Sequence, residues 1–99
     1  MAEAPSLRLD KFLWFTRIVK TRSAAQTLAT GGRLRIDGRT VDRAHAPVRI
    51  GEVLSFALHG KVRILRVIAL PSRRGPPADA RAYYEEVDEH PLTSKEQAD

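Results

Sequence analysis

Three runs decide the fold: Arg8-Leu9-Asp10-Lys11-Phe12-Leu13-Trp14-Phe15, then Lys20-Thr21-Arg22-Ser23-Ala24-Ala25, then Gly31-Gly32-Arg33-Leu34-Arg35-Ile36-Asp37-Gly38-Arg39. They read as two short amphipathic helices joined by a basic turn and followed by a hairpin edged with arginine. Nine of the chain's seventeen Lys and Arg residues fall between Arg8 and Arg43: Arg8, Lys11, Arg17, Lys20, Arg22, Arg33, Arg35, Arg39 and Arg43. Such a concentration points to a surface that grips a polyanion, RNA foremost.

In the first run Leu9, Phe12, Leu13, Thr16 and Val19 recur at helical spacing, with Phe15 at the edge of the stripe. This stripe should face the core, and the helix should stop near Val19 or Lys20. Lys11, Trp14 and Ile18 recur on the opposite side. Trp14 and Ile18 therefore need a cover, either the later Tyr83-Tyr84 segment or a nucleotide base, packing being the commoner fate of a lone tryptophan.

Ser23 is expected to cap the second helix, with Gln26 three residues later completing a capping box. Ala24, Ala25, Leu28 and Ala29 give that helix a narrow apolar face, and Gly31-Gly32 ends it. Leu34 and Ile36 then alternate with charged residues, the period of a half-buried strand. Asp37-Gly38 is a strong hairpin signal, because a type I′ turn needs positive φ at both positions.

Farther out, Val53 to Leu58 and Lys61 to Leu70 read as a second hairpin about His59-Gly60. The alternation shifts between Ile64 and Leu65, which implies a bulge or burial of both faces. Pro71 to Pro77 holds three prolines and a glycine and must be a loop. Asp79 to Val87 is expected to form one or two helical turns that set Tyr83 or Tyr84 against the domain. The predicted architecture is α+β: two helices packed on a small, twisted, mainly antiparallel sheet, with a short C-terminal helix. Its divisions are a flexible N-terminus (1–6), the domain proper (7–70), a loop and packed helix (71–87) and an acidic disordered tail (88–99).

Composition narrows the class. Ninety-nine residues, 42% of them apolar, suffice for one small core. Residues 1–75 hold 15 basic and 5 acidic side chains, a net of +10, whereas residues 76–99 hold 2 and 7, a net of −5. The acidic end should project away from the basic surface or shield it. No cysteine is present, so disulfides and thiolate metal sites are excluded. The first residues lack a basic segment followed by an apolar run, and Val62 to Leu70, interrupted by Arg63 and Arg66, is too short to span a bilayer. The cytoplasm is the expected compartment.

Among chemistry-bearing residues only the basic set has direction. Arg33 and Arg35, two apart on a strand, project from one sheet face. Lys20 and Arg22 stand at the entrance to the second helix, whose free N–H groups also favour an anion, and the Ser23 hydroxyl could donate to a phosphate. Arginine outnumbers lysine, and its planar fork suits bidentate phosphate contacts. His45, His59 and His90 lack metal-ligand spacing, and Glu85-Glu86 with Asp88-Glu89 read as a solvated acidic stretch. No catalytic residues, metal or cofactor are expected.

The order of these features resembles the S4 RNA-binding domain. The matching residues are Arg8-Leu9-Asp10-Lys11 with Leu13, Thr21 to Ala25, Gly31 to Gly38, and Val48 with Ile50-Gly51-Glu52-Val53-Leu54. Asp10 to Trp14, Lys20-Thr21-Arg22, Arg73-Arg74 and Tyr83 to Glu86 look more narrowly like the bacterial heat-shock protein 15 family. That likeness implies binding to ribosomal RNA on a free large subunit carrying a nascent chain on tRNA. The RNA face it implies comprises Arg8, Lys11, Lys20, Thr21, Arg22, Ser23, Gln26, Arg33, Arg35 and Arg39. Asp37 stands where the family usually has asparagine, and Arg43-Ala44-His45-Ala46 replaces a Lys-Pro-Ser stretch. A short acidic segment takes the place of the long basic extension of some members.

The expectation is thus a non-enzymatic, monomeric RNA-binding protein that recognises ribosomal RNA, with tRNA as a further contact. Two other readings remain open. One is a protein-interaction adaptor using Trp14 and Tyr83-Tyr84. The other is a detached module of an RNA-modifying enzyme.

Overall fold

The computed structural model describes residues 4–91, with side chains through Val87. In chain order the elements are β1 (Leu7–Arg8), α1 (Leu9–Phe15), α2 (Arg22–Thr30), β2 (Leu34–Ile36), β3 (Arg39–Val41), β4 (Pro47–Val48), β5 (Val53–Leu58), β6 (Lys61–Val67), α3 (Pro77–Ala80), a 3-10 turn (Arg81–Tyr83) and β7 (Tyr84–Pro91). Five strands make one antiparallel sheet in the order β3-β2-β5-β6-β7, while β1 pairs separately with β4. This is the expected α+β arrangement.

Strand alternation puts Leu34, Ile36, Leu54, Phe56, Leu65 and Val67 on one face of the sheet, all buried. Against them lie Leu9, Phe12 and Leu13 of α1, Ala25 and Ala29 of α2, and Val48 of β4. Alanines at the inner positions of α2 let its backbone come close to α1. Removing these side chains from water is the main stabilising term of a domain this small. The first-helix stripe is read correctly, since Thr16 and Val19 are also buried.

The helix itself is shorter than predicted. It ends at Phe15, and Arg17 takes φ 61°. The Ile18 N–H reaches the Leu13 carbonyl at 3.1 Å and the Arg17 N–H reaches that of Trp14 at 3.1 Å, the two bonds of a Schellman turn. The turn rotates Ile18 inward, so this residue is buried rather than sharing an outer face with Lys11 and Trp14. Helical spacing overran the helix because a residue other than glycine ends it.

Thr21, not Ser23, caps α2: its hydroxyl oxygen accepts the Ala24 N–H at 3.0 Å. Gln26 is then two residues too far along for a capping box. Asp37 and Gly38 have φ of 52° and 85°, the pair of positive values that a type I′ turn requires. His59 and Gly60 repeat this at the β5–β6 turn with 52° and 79°.

The C-terminal segment departs most from expectation. Helix is confined to α3 and the following 3-10 turn, and Tyr84–Pro91 is a full strand on β6. The boundary drawn between 87 and 88 therefore cuts through an element. The partners Ile64↔Asp88 and Leu65↔Glu86 skip Val87, whereas the β5–β6 register is unbroken. A bulge is present at this point but its extra residue is on β7. The shift along β6 itself reflects burial of both faces, with Leu65 and Val67 buried on one and Val62 and Ile64 half-buried on the other. Residues 1–3 of the expected flexible N-terminus and 92–99 of the expected tail lie outside the described residues.

Candidate nucleic-acid interface

A cleft of about 290 Å³ opens between α1 and α2, lined by Arg8, Asp10, Lys11, Trp14, Phe15, Arg22 and Gln26. Four residues singled out from the sequence thus meet across two helices. The geometry follows from local chemistry. The α1 N–H groups of Leu9 and Asp10 are satisfied by the Ala46 and Ala44 carbonyls at 2.8 and 3.0 Å, which fixes where the helix starts. Leu9, Phe12 and Leu13 then point inward, and Lys11, Trp14 and Phe15 turn toward α2.

Arg8 is partly committed. Its guanidinium grips the buried Asp10 carboxylate through two bonds of 2.9 and 3.1 Å, and Asp10 also accepts the Lys11 N–H at 2.8 Å. Lys11 and Arg22 make no ion pair among the described residues. Trp14 is half-buried, and neither tyrosine covers it. The Arg22 guanidinium lies over its ring at 4.7 Å and that of Arg74 at 5.1 Å.

The other proposed contacts lie elsewhere. Arg17, Lys20 and Thr21 line a second, more apolar cleft of about 610 Å³ with Ile18, Leu28, Leu58 and His59. Ser23 is exposed near the start of α2. Arg33, Arg35, Arg39 and Arg43 are all exposed on or beside the first hairpin, free of ion pairs among the described residues, and line neither cleft. Asp37, the acid at that hairpin, is held by the sheet: its Oδ1 accepts the Val53 N–H at 2.9 Å, and its own N–H reaches the Val53 carbonyl at 2.8 Å.

Within the described residues the acidic segment lies in β7, and residues 92–99 lie outside them. Through β7 it pairs with the arginines of β6: Arg63 with Glu86 at 2.9 Å, and Arg66 with Glu85 at 4.0 Å. Arg63 also lies 6.0 Å from the Phe56 and Tyr84 rings. Its bond to Glu86 raises its pKa above the ordinary arginine value. Arg74 was missed as a site residue, because no periodicity ties a proline-flanked loop to a helix sixty positions earlier. Among the described residues no His, Asp and Glu cluster could hold a metal, and no helix is long and apolar enough to cross a membrane.

Comparison with known proteins agrees with this architecture. The S4 domain family matches residues 7–54. Heat shock protein 15 of Escherichia coli (strain K12) is 32% identical over 91 residues, covering 90% of this chain and 68% of that protein. The RQC P-site tRNA stabilizing factor of Streptococcus pneumoniae (strain ATCC BAA-255 / R6) is 25% identical over 83 residues, 84% of this chain and 92% of that one. The solved trimeric structure of Vibrio cholerae heat shock protein 15 superposes with a TM-score of 0.78 at 26% identity, covering 95% and 93% of the two chains. With its S4 segment, its length-wide identity and its matching fold, the chain belongs to the heat shock protein 15 family.

Proposed function

We propose that this protein binds structured ribosomal RNA and acts, without catalysis, on free large ribosomal subunits that carry a tRNA-linked nascent chain, assisting their recycling or rescue in the cytoplasm. The observation that carries the reading is the α1–α2 cleft, where Lys11 and Arg22 stand unpaired beside Trp14 and Phe15. Unpaired cations on a rigid scaffold suit phosphate, and contacts to phosphate position a protein whose selectivity comes from RNA shape. The name of the Streptococcus pneumoniae relative, a P-site tRNA stabilizing factor, supports tRNA on the ribosome as part of the target.

In this reading Arg8, Lys11, Arg22 and Gln26 form the centre of the surface. Arg17, Lys20, Thr21 and Ser23 extend it at the α1–α2 connection, and Arg33, Arg35, Arg39 and Arg43 extend it along the hairpin. The binding unit is one chain, because both helices of the cleft come from it. The Vibrio cholerae relative is trimeric in its solved structure, and light scattering of the free protein and of its RNA complex separates the two cases.

The test is binding of purified protein to large-subunit RNA and to free large subunits by anisotropy. Arg22→Glu and Arg33→Glu should each weaken binding at least tenfold while the circular dichroism spectrum is retained. Unaltered affinity in both removes the proposed surface. A partner that survives nuclease in a pull-down would instead favour the adaptor reading.

A further inference from the structure

Arg74 lies outside the basic stretch, yet its guanidinium and that of Arg22 share one indole, Trp14, at 5.1 and 4.7 Å. The loop that carries Arg74 is tied to the end of α1 from both sides. Arg74 Nη1 donates to the Trp14 carbonyl and, at 3.5 Å, to that of Val19. In return Arg17 Nε donates to the Gly75 carbonyl at 2.7 Å. Arg17, Arg22 and Arg74 have no carboxylate partner among the described residues.

Gathering like charges without an acid costs free energy, only part of which an indole face offsets. At Arg74 partial desolvation, and after it the like charge of Arg17, lower the guanidinium pKa from the ordinary arginine value. Arg74 stays charged at neutral pH all the same. Arg74 Nη1 is taken up by the two carbonyls, which leaves its Nε and Nη2, and the whole fork of Arg22, to donate to phosphate oxygens. A ring already lying under two guanidinium groups has little face left for a nucleobase.

We propose that Trp14 is a platform for guanidinium groups rather than for a base, and that Arg22 and Arg74 aligned on it form a clamp for the phosphodiester backbone of RNA. The inference rests on the RNA reading above and deepens it in two ways. It adds a loop residue to the surface, and it gives the cleft a preference for backbone over base. Trp14 is then a positioning residue, acting through the two arginines.

Trp14 is the chain's only tryptophan, so its emission reports on this site alone. The full chain is titrated with a single-stranded RNA oligonucleotide and, separately, with an abasic ribose-phosphate strand of equal length, reading Trp14 emission and anisotropy of the labelled strand. The clamp requires both strands to bind within about threefold of each other and to shift the emission alike. Arg74→Gln should weaken both about tenfold, the effect of removing one charge-assisted hydrogen bond. Arg74→Lys keeps a charge and a donor for the Trp14 carbonyl, so it serves as the folded control; lacking the fork, it should still weaken binding about threefold. RNA that binds and shifts the emission while the abasic strand does neither makes Trp14 a base platform and overturns the proposal. Wild-type affinity in both Arg74 variants overturns it as well, with RNA binding itself intact. A wild-type chain that binds large-subunit RNA but neither strand overturns the clamp and leaves the RNA reading standing; failure with all three removes both.

Discussion

Arg17 shows how one side chain can end a helix without a local signal. An L-residue in the left-handed region is disfavoured by roughly 1–2 kcal/mol relative to the right-handed one, and here the Gly75 carbonyl holds Arg17 in place at 2.7 Å. Arg17→Ala keeps the Cβ clash and loses the bond, whereas Arg17→Gly loses the bond and relieves the clash. The glycine variant should therefore be the more stable of the two by about 1 kcal/mol in urea unfolding. Equal stabilities would mean that backbone conformation is not what this position controls. Asp37 is the opposite case, because aspartate before glycine announces its turn in the sequence. What could not be read is that its Oδ1 also receives the Val53 N–H, a bond across sixteen positions. Asp37→Asn retains an acceptor and tolerates positive φ, so its stability should stay within about 0.5 kcal/mol of the parent, while Asp37→Ala should lose about 1–2 kcal/mol. Removing the negative charge beside the hairpin arginines should also tighten RNA binding in Asp37→Asn, as read by anisotropy.

At the level of elements, legibility followed how local the determinant is. Both hairpins, the α2 span and the core stripe of α1 follow from alternation, turn chemistry and helical spacing. The start of α2 lies two residues ahead of the expected one, since Thr21 and Ser23 are both competent caps and the local sequence does not choose between them. The choice is measurable: Thr21→Ala should destabilise the domain by about 1 kcal/mol, and Ser23→Ala by a few tenths at most. The reverse ranking in thermal melts would place the cap at Ser23. Strand β7 was illegible for a different reason. Tyr84-Glu85-Glu86-Val87-Asp88-Glu89-His90-Pro91 has no apolar alternation, and its strand form comes from pairing with β6 and from the Arg63–Glu86 ion pair. Glu85 and Glu86, exposed on this edge strand, also discourage a further strand from adding there.

Among the described residues charge is sorted in part, and the strand pairing of β6 with β7 does that sorting by setting two arginines against two carboxylates. Glu86 and Glu85 pair with Arg63 and Arg66 on the sheet; among the described residues the arginines without a carboxylate partner are Arg17, Arg22 and Arg74 around the helices, Arg33, Arg35, Arg39 and Arg43 at the first hairpin, and Arg49, Arg73 and Arg81 elsewhere. The Arg63–Glu86 and Arg66–Glu85 pairs lie far along the sheet order from β2 and β3, whereas Asp10 and Asp37 stand at the basic surface itself. If RNA is held mainly by this unpaired set, counterion release fixes the outcome. Engagement of about four to six phosphates should give a slope of log K against log salt of roughly −3 to −5. Changing Lys11 and Arg22 together to glutamine should flatten the slope by about 2, one unit for each phosphate no longer neutralised. Arg63→Gln, checked for folding by circular dichroism, should leave the slope unchanged, since its partner is already a carboxylate of the same chain. The measurement is anisotropy with a labelled ribosomal RNA fragment over a tenfold range of potassium chloride. A slope near zero would mean that the affinity is not electrostatic. An equal flattening of the slope in Arg63→Gln and in the Lys11 and Arg22 double variant would mean that the RNA touches the sheet as much as the helices, and the sorting of charge would then have no bearing on where RNA binds.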